Sequence, residues 1–159
     1  MKKIIPFLVL SAAVVALVVM SGHTVSGQTA APGRLAMFVD MALFSGNNQP
    51  RNCFTMNRYK VGEPVGFRIT ALDPVTGARD RAATLVVHLT YGGKTIDLPM
   101  RDRQNEKQPE RTFWVAKWIV PDDAPMGVVR YTVSAKDSQG RTGEFKPFDV
   151  QTSQITIVE

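Results

Sequence analysis

The sequence predicts an all-β fold, an antiparallel β-sandwich of seven to eight strands. Three observations carry that expectation. After Arg34, apolar residues nowhere recur at helical spacing over three turns. Short runs rich in β-branched and aromatic residues recur instead, cut by Gly, Pro, Asn and Asp. Two of these runs flank Gly92-Gly93, a dipeptide suited to the two-residue turn of a β-hairpin.

The N-terminus comes first in the chain and sets the context. Lys2-Lys3 is a positive start, Ile4 to Met20 is an apolar run, and Ser21 to Gly27 is small and polar. This is the pattern of a signal peptide over residues 1–27, with cleavage expected before Gln28. An uncleaved membrane anchor is the alternative, because the run is at the lower limit for spanning a bilayer. Either way the domain is expected outside the cytoplasm, periplasmic or secreted. Residues 28–34 read as a flexible leader, and 35–159 as one domain.

The strands follow in order. Leu35–Phe44 is the first, ended by the loop Ser45 to Pro50. Cys53–Arg58 is a short second run. Val65–Leu72 alternates, with Val65, Phe67, Ile69 and Ala71 on one face. Asp73-Pro74-Val75-Thr76-Gly77 supplies turn chemistry. Thr84–Tyr91 and Thr95–Met100 form the hairpin. Thr112–Val120 is next. Val128–Lys136 places Val129, Tyr131, Val133 and Ala135 inward and Arg130, Thr132 and Ser134 outward. Phe145–Val150 and Ile155–Val158 close the chain. With no helices between them, the strands should pair mainly antiparallel, in two sheets packed face to face.

Composition excludes several classes. The chain carries a formal charge of +5. Lys2 and Lys3 fall in the expected signal peptide, so the remaining 17 Lys and Arg against 14 acids give +3. Bases and acids interleave, as in Arg101-Asp102-Arg103, so no nucleic-acid partner is expected. Beyond His23 of the expected signal peptide, His88 is the one histidine. That is too few for a blue-copper site or a Cys/His zinc site, so no metal and no cofactor are expected.

Tyr59-Lys60-Val61-Gly62-Glu63-Pro64-Val65-Gly66-Phe67-Arg68-Ile69 resembles bacterial immunoglobulin-like and fibronectin-III-like domains. In those, an aromatic, a Gly-Glu turn and an alternating strand occur in this order. Pro125 to Gly140 resembles a late strand and the Asp-x-x-Gly turn of the same group. The resemblance spans most of the mature chain. It implies an immunoglobulin-like sandwich used as a binding or structural module, without the Cys…Trp…Cys framework of antibody domains.

Candidate site residues are few. Trp114 and Trp118 lie on one face of a strand, about 13 Å apart. That spacing suits a sugar-binding platform, while burial against the core is the expectation for large aromatics. Arg101, Arg103, Lys107 and Arg111 belong to a long polar segment between two strands, the kind of loop that often binds ligands. Cys53 is the single cysteine, expected to be packed or half-buried, with a reactive thiol or a copper(I) ligand as the alternative. It could pair with His88 as nucleophile and base only if the fold joined them; His88 itself should point outward. Asp73, Asp80, Asp122, Asp123 and Asp137 read as turn formers, with Asp122-Asp123 as a candidate calcium contributor.

No catalytic constellation stands out along the chain. The expectation is a non-enzymatic protein-interaction or structural module, an accessory subunit of an envelope or extracellular assembly. Its partner would be another envelope or extracellular protein, with membrane contact only through an uncleaved N-terminal segment. The alternatives are a carbohydrate-binding module using Trp114 and Trp118, and a thiol or copper(I) role through Cys53.

Overall fold

The computed structural model describes residues 33–46, 48–104, 106–109 and 112–159. These lie in one compact unit, Ala31–Glu159. The expected signal segment 1–27 and leader residues 28–32 fall outside the described residues.

Among the described residues the regular structure is nearly all strand, with almost no helix; a short 3-10 turn lies at Gln151–Ser153. Its strands are β1 (Ala36–Leu43), β2 (Arg58–Tyr59), β3 (Pro64–Leu72), β4 (Thr84–Tyr91) and β5 (Lys94–Pro99). They continue as β6 (Arg101–Arg103), β7 (Phe113–Ile119), β8 (Gly127–Lys136), β9 (Thr142–Phe145) and β10 (Ile155–Ile157). Two sheets result. The first runs β1-β3-β7-β6; the second runs β2-β10-β8-β4-β5, with β9 beside the far half of β8. Every strand pair is antiparallel except β2 with β10. This two-sheet arrangement is compatible with a β-sandwich.

The alternation read from the sequence sets the core. Val65, Phe67, Ile69 and Ala71 of β3 are buried, as are Val129, Tyr131, Val133 and Ala135 of β8. Leu85, Val87, Leu89 and Tyr91 of β4 join them from the neighbouring strand. The two sheets meet through rings. Phe67 of β3 lies 5.6 Å from Tyr131 of β8, and Tyr91 of β4 lies 5.2 Å from Trp118 of β7. Burial of each such side chain contributes roughly 1.5–3 kcal/mol.

The hairpin forms as its turn dictates. Gly92 and Gly93 both have positive φ, 52° and 72°, so the connection takes two residues and Tyr91 faces Lys94. The chain then changes sheets. The Met100 amide still donates to the Leu85 carbonyl at 2.9 Å, whereas Arg101–Arg103 already pair with β7.

Four boundaries differ from the sequence reading. Cys53–Arg58 is not a strand. Cys53 takes a left-handed φ of 62°, and its segment follows the β1 edge through Cys53 N–H to Leu43 O at 2.7 Å and Leu43 N–H to Phe54 O at 2.8 Å. Only Arg58–Tyr59 is extended and paired. The strand expected at Phe145–Val150 lies earlier, at Thr142–Phe145, and Pro147, which lacks an N–H, follows it. The long polar segment begins as β6, because Arg101 and Arg103 pair opposite Val115 and Phe113. The end of the leader is tied down, with the Thr142 amide donating to Gly33 O and the Leu35 amide to Thr142 O.

Candidate functional site

Two of the depressions on the outward faces of the sheets gather candidate side chains. On the second sheet a groove of about 910 Å³ runs over β4, β8 and β9. Arg34, Thr84, His88, Ser134, Lys136 and Glu144 line it. Alternation explains this set. Val87 and Leu89 turn inward, so His88 turns out; Val133 and Ala135 turn inward, so Ser134 does too.

Register brings three of the outward side chains into a chain of hydrogen bonds. His88 sits directly opposite Asp97 across the hairpin and diagonally from Ser134 on β8. His88 Nδ1 lies 2.7 Å from Asp97 Oδ1, and Nε2 lies 2.8 Å from Ser134 Oγ. A carboxylate can only accept, so Nδ1–H donates to Asp97. In the neutral ring that leaves Nε2 as acceptor for the Ser134 hydroxyl. Glu144 of β9 is the cross-strand partner of Ser134 on its other side.

On the first sheet a cavity of about 590 Å³ gathers Phe44, Cys53, Arg101, Arg103 and Lys117. The left-handed backbone at Cys53 leaves the thiol exposed, which corrects the expectation of a packed or half-buried cysteine. Arg103 also lies over the Phe113 ring, 5.8 Å from its centre. Cys53 and His88 are on outward faces of different sheets, so they do not form a nucleophile and base. Lys107 is exposed in the connection after β6, and Arg111 lies outside the described residues.

The tryptophans occupy the core. Trp114 is 2% exposed and Trp118 6%, with the small Ala116 between them. Their ring faces are spent on packing, Trp118 against Tyr91, so the pair offers no exposed stacking platform. This corrects the sugar-binding reading of these residues.

Four of the five turn aspartates divide into two groups. Asp123 Oδ2 accepts from Lys94 Nζ at 2.8 Å, and that contact holds the carboxyl below the usual range and raises the lysine. Asp73, Asp80 and Asp137 converge on the guanidinium of Arg141. Arg141 Nε donates to Asp137 at 2.5 Å and Nη2 to Asp80 at 2.7 Å, while Nη1 donates to Asp73. The Thr76 amide, the Arg141 guanidinium and the Val75 amide together hold Asp73 down at about 2. Burial works against ionisation of Asp137, but hydrogen bonds from Arg141 and the Gln139 amide outweigh it and keep the carboxyl low. A cation is therefore built into this acidic cluster. Among the described residues, no three or more His, Cys, Asp or Glu side chains converge as metal ligands.

No protein-family model matches the chain, and no curated protein matches its sequence.

Sequence reasoning missed the Ser134–His88–Asp97 chain and the Arg141 cluster. Part of the first could have been found. A two-residue turn at Gly92-Gly93 fixes His88 opposite Asp97 by counting back along both strands.

Proposed function

We propose that this chain is an exported, immunoglobulin-like protein-interaction module that docks another envelope or extracellular protein on the outward face of its second sheet. The observation that carries this reading is the groove of about 910 Å³ over β4, β8 and β9. Its lining offers donors and acceptors of both signs: Arg34 and Lys136 beside Glu144, and Ser134 beside His88. Such a mixed surface suits an extended polar segment of a partner better than an apolar ligand. The immunoglobulin-like assignment is supported by the two sheets, by the crossing of the chain between them at Met100, and by Tyr59. The Tyr59 hydroxyl donates back to Met56 O at 2.8 Å, a corner contact that sandwich domains also use.

A photo-crosslinking residue at Thr84, inside the groove, tests the proposal in the native envelope. One at Val75, on an exposed turn of the β3–β4 connection, serves as control. A single protein captured from Thr84 and not from Val75, and bound again by the purified chain, is the expected result. Equal capture from both sites, or none from Thr84, overturns it.

A second reading, a thiol role through Cys53, is favoured by its exposure in a cavity that Arg101, Arg103 and Lys117 share. Native alkylation decides it: the exposed Cys53 should be modified in the folded protein without denaturant, and a thiol that reacts only after unfolding ends the idea.

A further inference from the structure

We infer that Ser134 is a nucleophile, activated by His88 and oriented through Asp97, that accepts an acyl group from activated carboxylic esters entering the groove. This goes beyond partner docking and stands whether or not a partner occupies the groove.

The geometry meets the requirements of an activated hydroxyl one by one. Nucleophile and base are within hydrogen-bond reach, Ser134 Oγ to His88 Nε2 at 2.8 Å. The base is held in the right tautomer by a carboxylate, Asp97, at 2.7 Å from Nδ1. Both donor and acceptor are partly accessible, and the hydroxyl opens into a groove large enough for a small ester. Three adjacent strands, β8, β4 and β5, carry the three side chains, so their spacing is set by ladder register and not by loops.

The step balances without an oxidant or a metal. Ser134 Oγ bonds to the ester carbonyl carbon as its proton passes to His88 Nε2. The resulting imidazolium keeps its Nδ1–H on Asp97. The carbon–oxygen bond to the alcohol then breaks, and the departing oxygen takes the proton back from Nε2. The products are an acylated Ser134 and the free alcohol.

What the site lacks sets its limit. Ser134 lies in the middle of a strand paired on both sides, so its amide belongs to the sheet. The charge on the carbonyl oxygen is left to Arg34 and Lys136, which line the groove, while Glu144 stands opposite Ser134. Long cationic side chains replace fixed amides poorly. The structure therefore favours acylation near one acyl group per chain over rapid turnover, and aryl esters over alkyl esters.

The test treats the full-length chain with p-nitrophenyl acetate across the titration range of histidine and locates the acetyl group by peptide mass spectrometry. The expected result is acetylation of Ser134, faster as the histidine loses its proton, with Ser134→Ala unlabelled. His88→Gln should slow labelling by a factor on the order of 10²–10⁴. Asp97→Asn should keep the site but lower the rate and move the pH profile. All three side chains face outward, and denaturation midpoints check that each variant is folded. An absent acetyl group on Ser134 overturns the inference, as does an equal rate in His88→Gln. If that variant fails to fold, the wild-type profile decides alone: a rate flat across the histidine range overturns it.

Discussion

Asp137 keeps only 1% of its side chain exposed, and its carboxylate accepts Arg141 Nε–H at 2.5 Å. The same guanidinium reaches Asp73 and Asp80. One side chain therefore fastens the β3–β4 connection to the β8–β9 turn. Removing it leaves three carboxylates facing one another, with Asp137 buried and held only by the Gln139 and Arg141 amides, its charge uncompensated. Arg141→Met, which keeps the length and loses the charge, should lower the thermal midpoint clearly. Arg130→Met, which removes the exposed 3.0 Å pair with Asp149, should barely move it. Thermal denaturation compares the two, and equal midpoints would mean that Arg141 fastens nothing.

The same cluster predicts an acid limit. Asp73 is held at about 2 by the Thr76 amide, Arg141 and the Val75 amide, whereas an unfolded Asp titrates near 3.8. A depressed carboxyl stabilises the fold fully above the unfolded value. That contribution is lost as pH falls from about 4 towards 2. Urea midpoints should fall through this window, and Asp73→Asn should flatten part of the fall. A variant that declines as steeply as the wild type places the acid sensitivity elsewhere.

Strand β8 gives a sharper comparison. Val133 is fully buried between the sheets, while Thr132 stands on the outward face opposite His88. Val133→Ala should cost about 1–3 kcal/mol from lost burial and the cavity left behind. Thr132→Ala should stay within about 0.5 kcal/mol. Chemical denaturation measures both, and a reversed order would require the opposite register.

Local pattern explains what was legible in the sequence. The alternation of Val129, Tyr131, Val133 and Ala135 marked a half-buried strand, and Trp114-x-Ala116-x-Trp118 marked a core face. Both follow from period-two geometry within one strand. The all-β class and the mainly antiparallel pairing followed from the same short runs. Register between distant strands did not. Ser134 reaches His88 because β8 lies beside β4, and no turn between them fixes that offset. The Asp137-Ser138-Gln139-Gly140 turn was read up to the residue before Arg141. The role of Arg141 depends on a loop some sixty residues earlier in the chain, at Asp73 and Asp80. Cys53 was expected to be packed because free cysteines usually are, whereas it takes a left-handed φ beside the β1 edge, a local turn that no periodicity announced.

Gly66 supplies a last test, and it bears on the cavity around Cys53. It is a strand residue with no strained φ, so backbone freedom does not explain it. What explains it is Phe44, whose ring lies directly over its Cα; a methyl group built on Gly66 would fall inside the ring. Gly66→Ala must therefore move Phe44, which also lines the cavity with Cys53 and Lys117. Forcing such a contact costs about 1–3 kcal/mol. Phe44→Ala loses ring packing but leaves Gly66 free to accept a side chain. The double variant should then cost less than the two single costs added together, because the clash is gone once the ring is gone. Urea denaturation of the four proteins closes the cycle. Additive costs would show that the ring and the glycine do not meet, and Gly66 would then need another explanation.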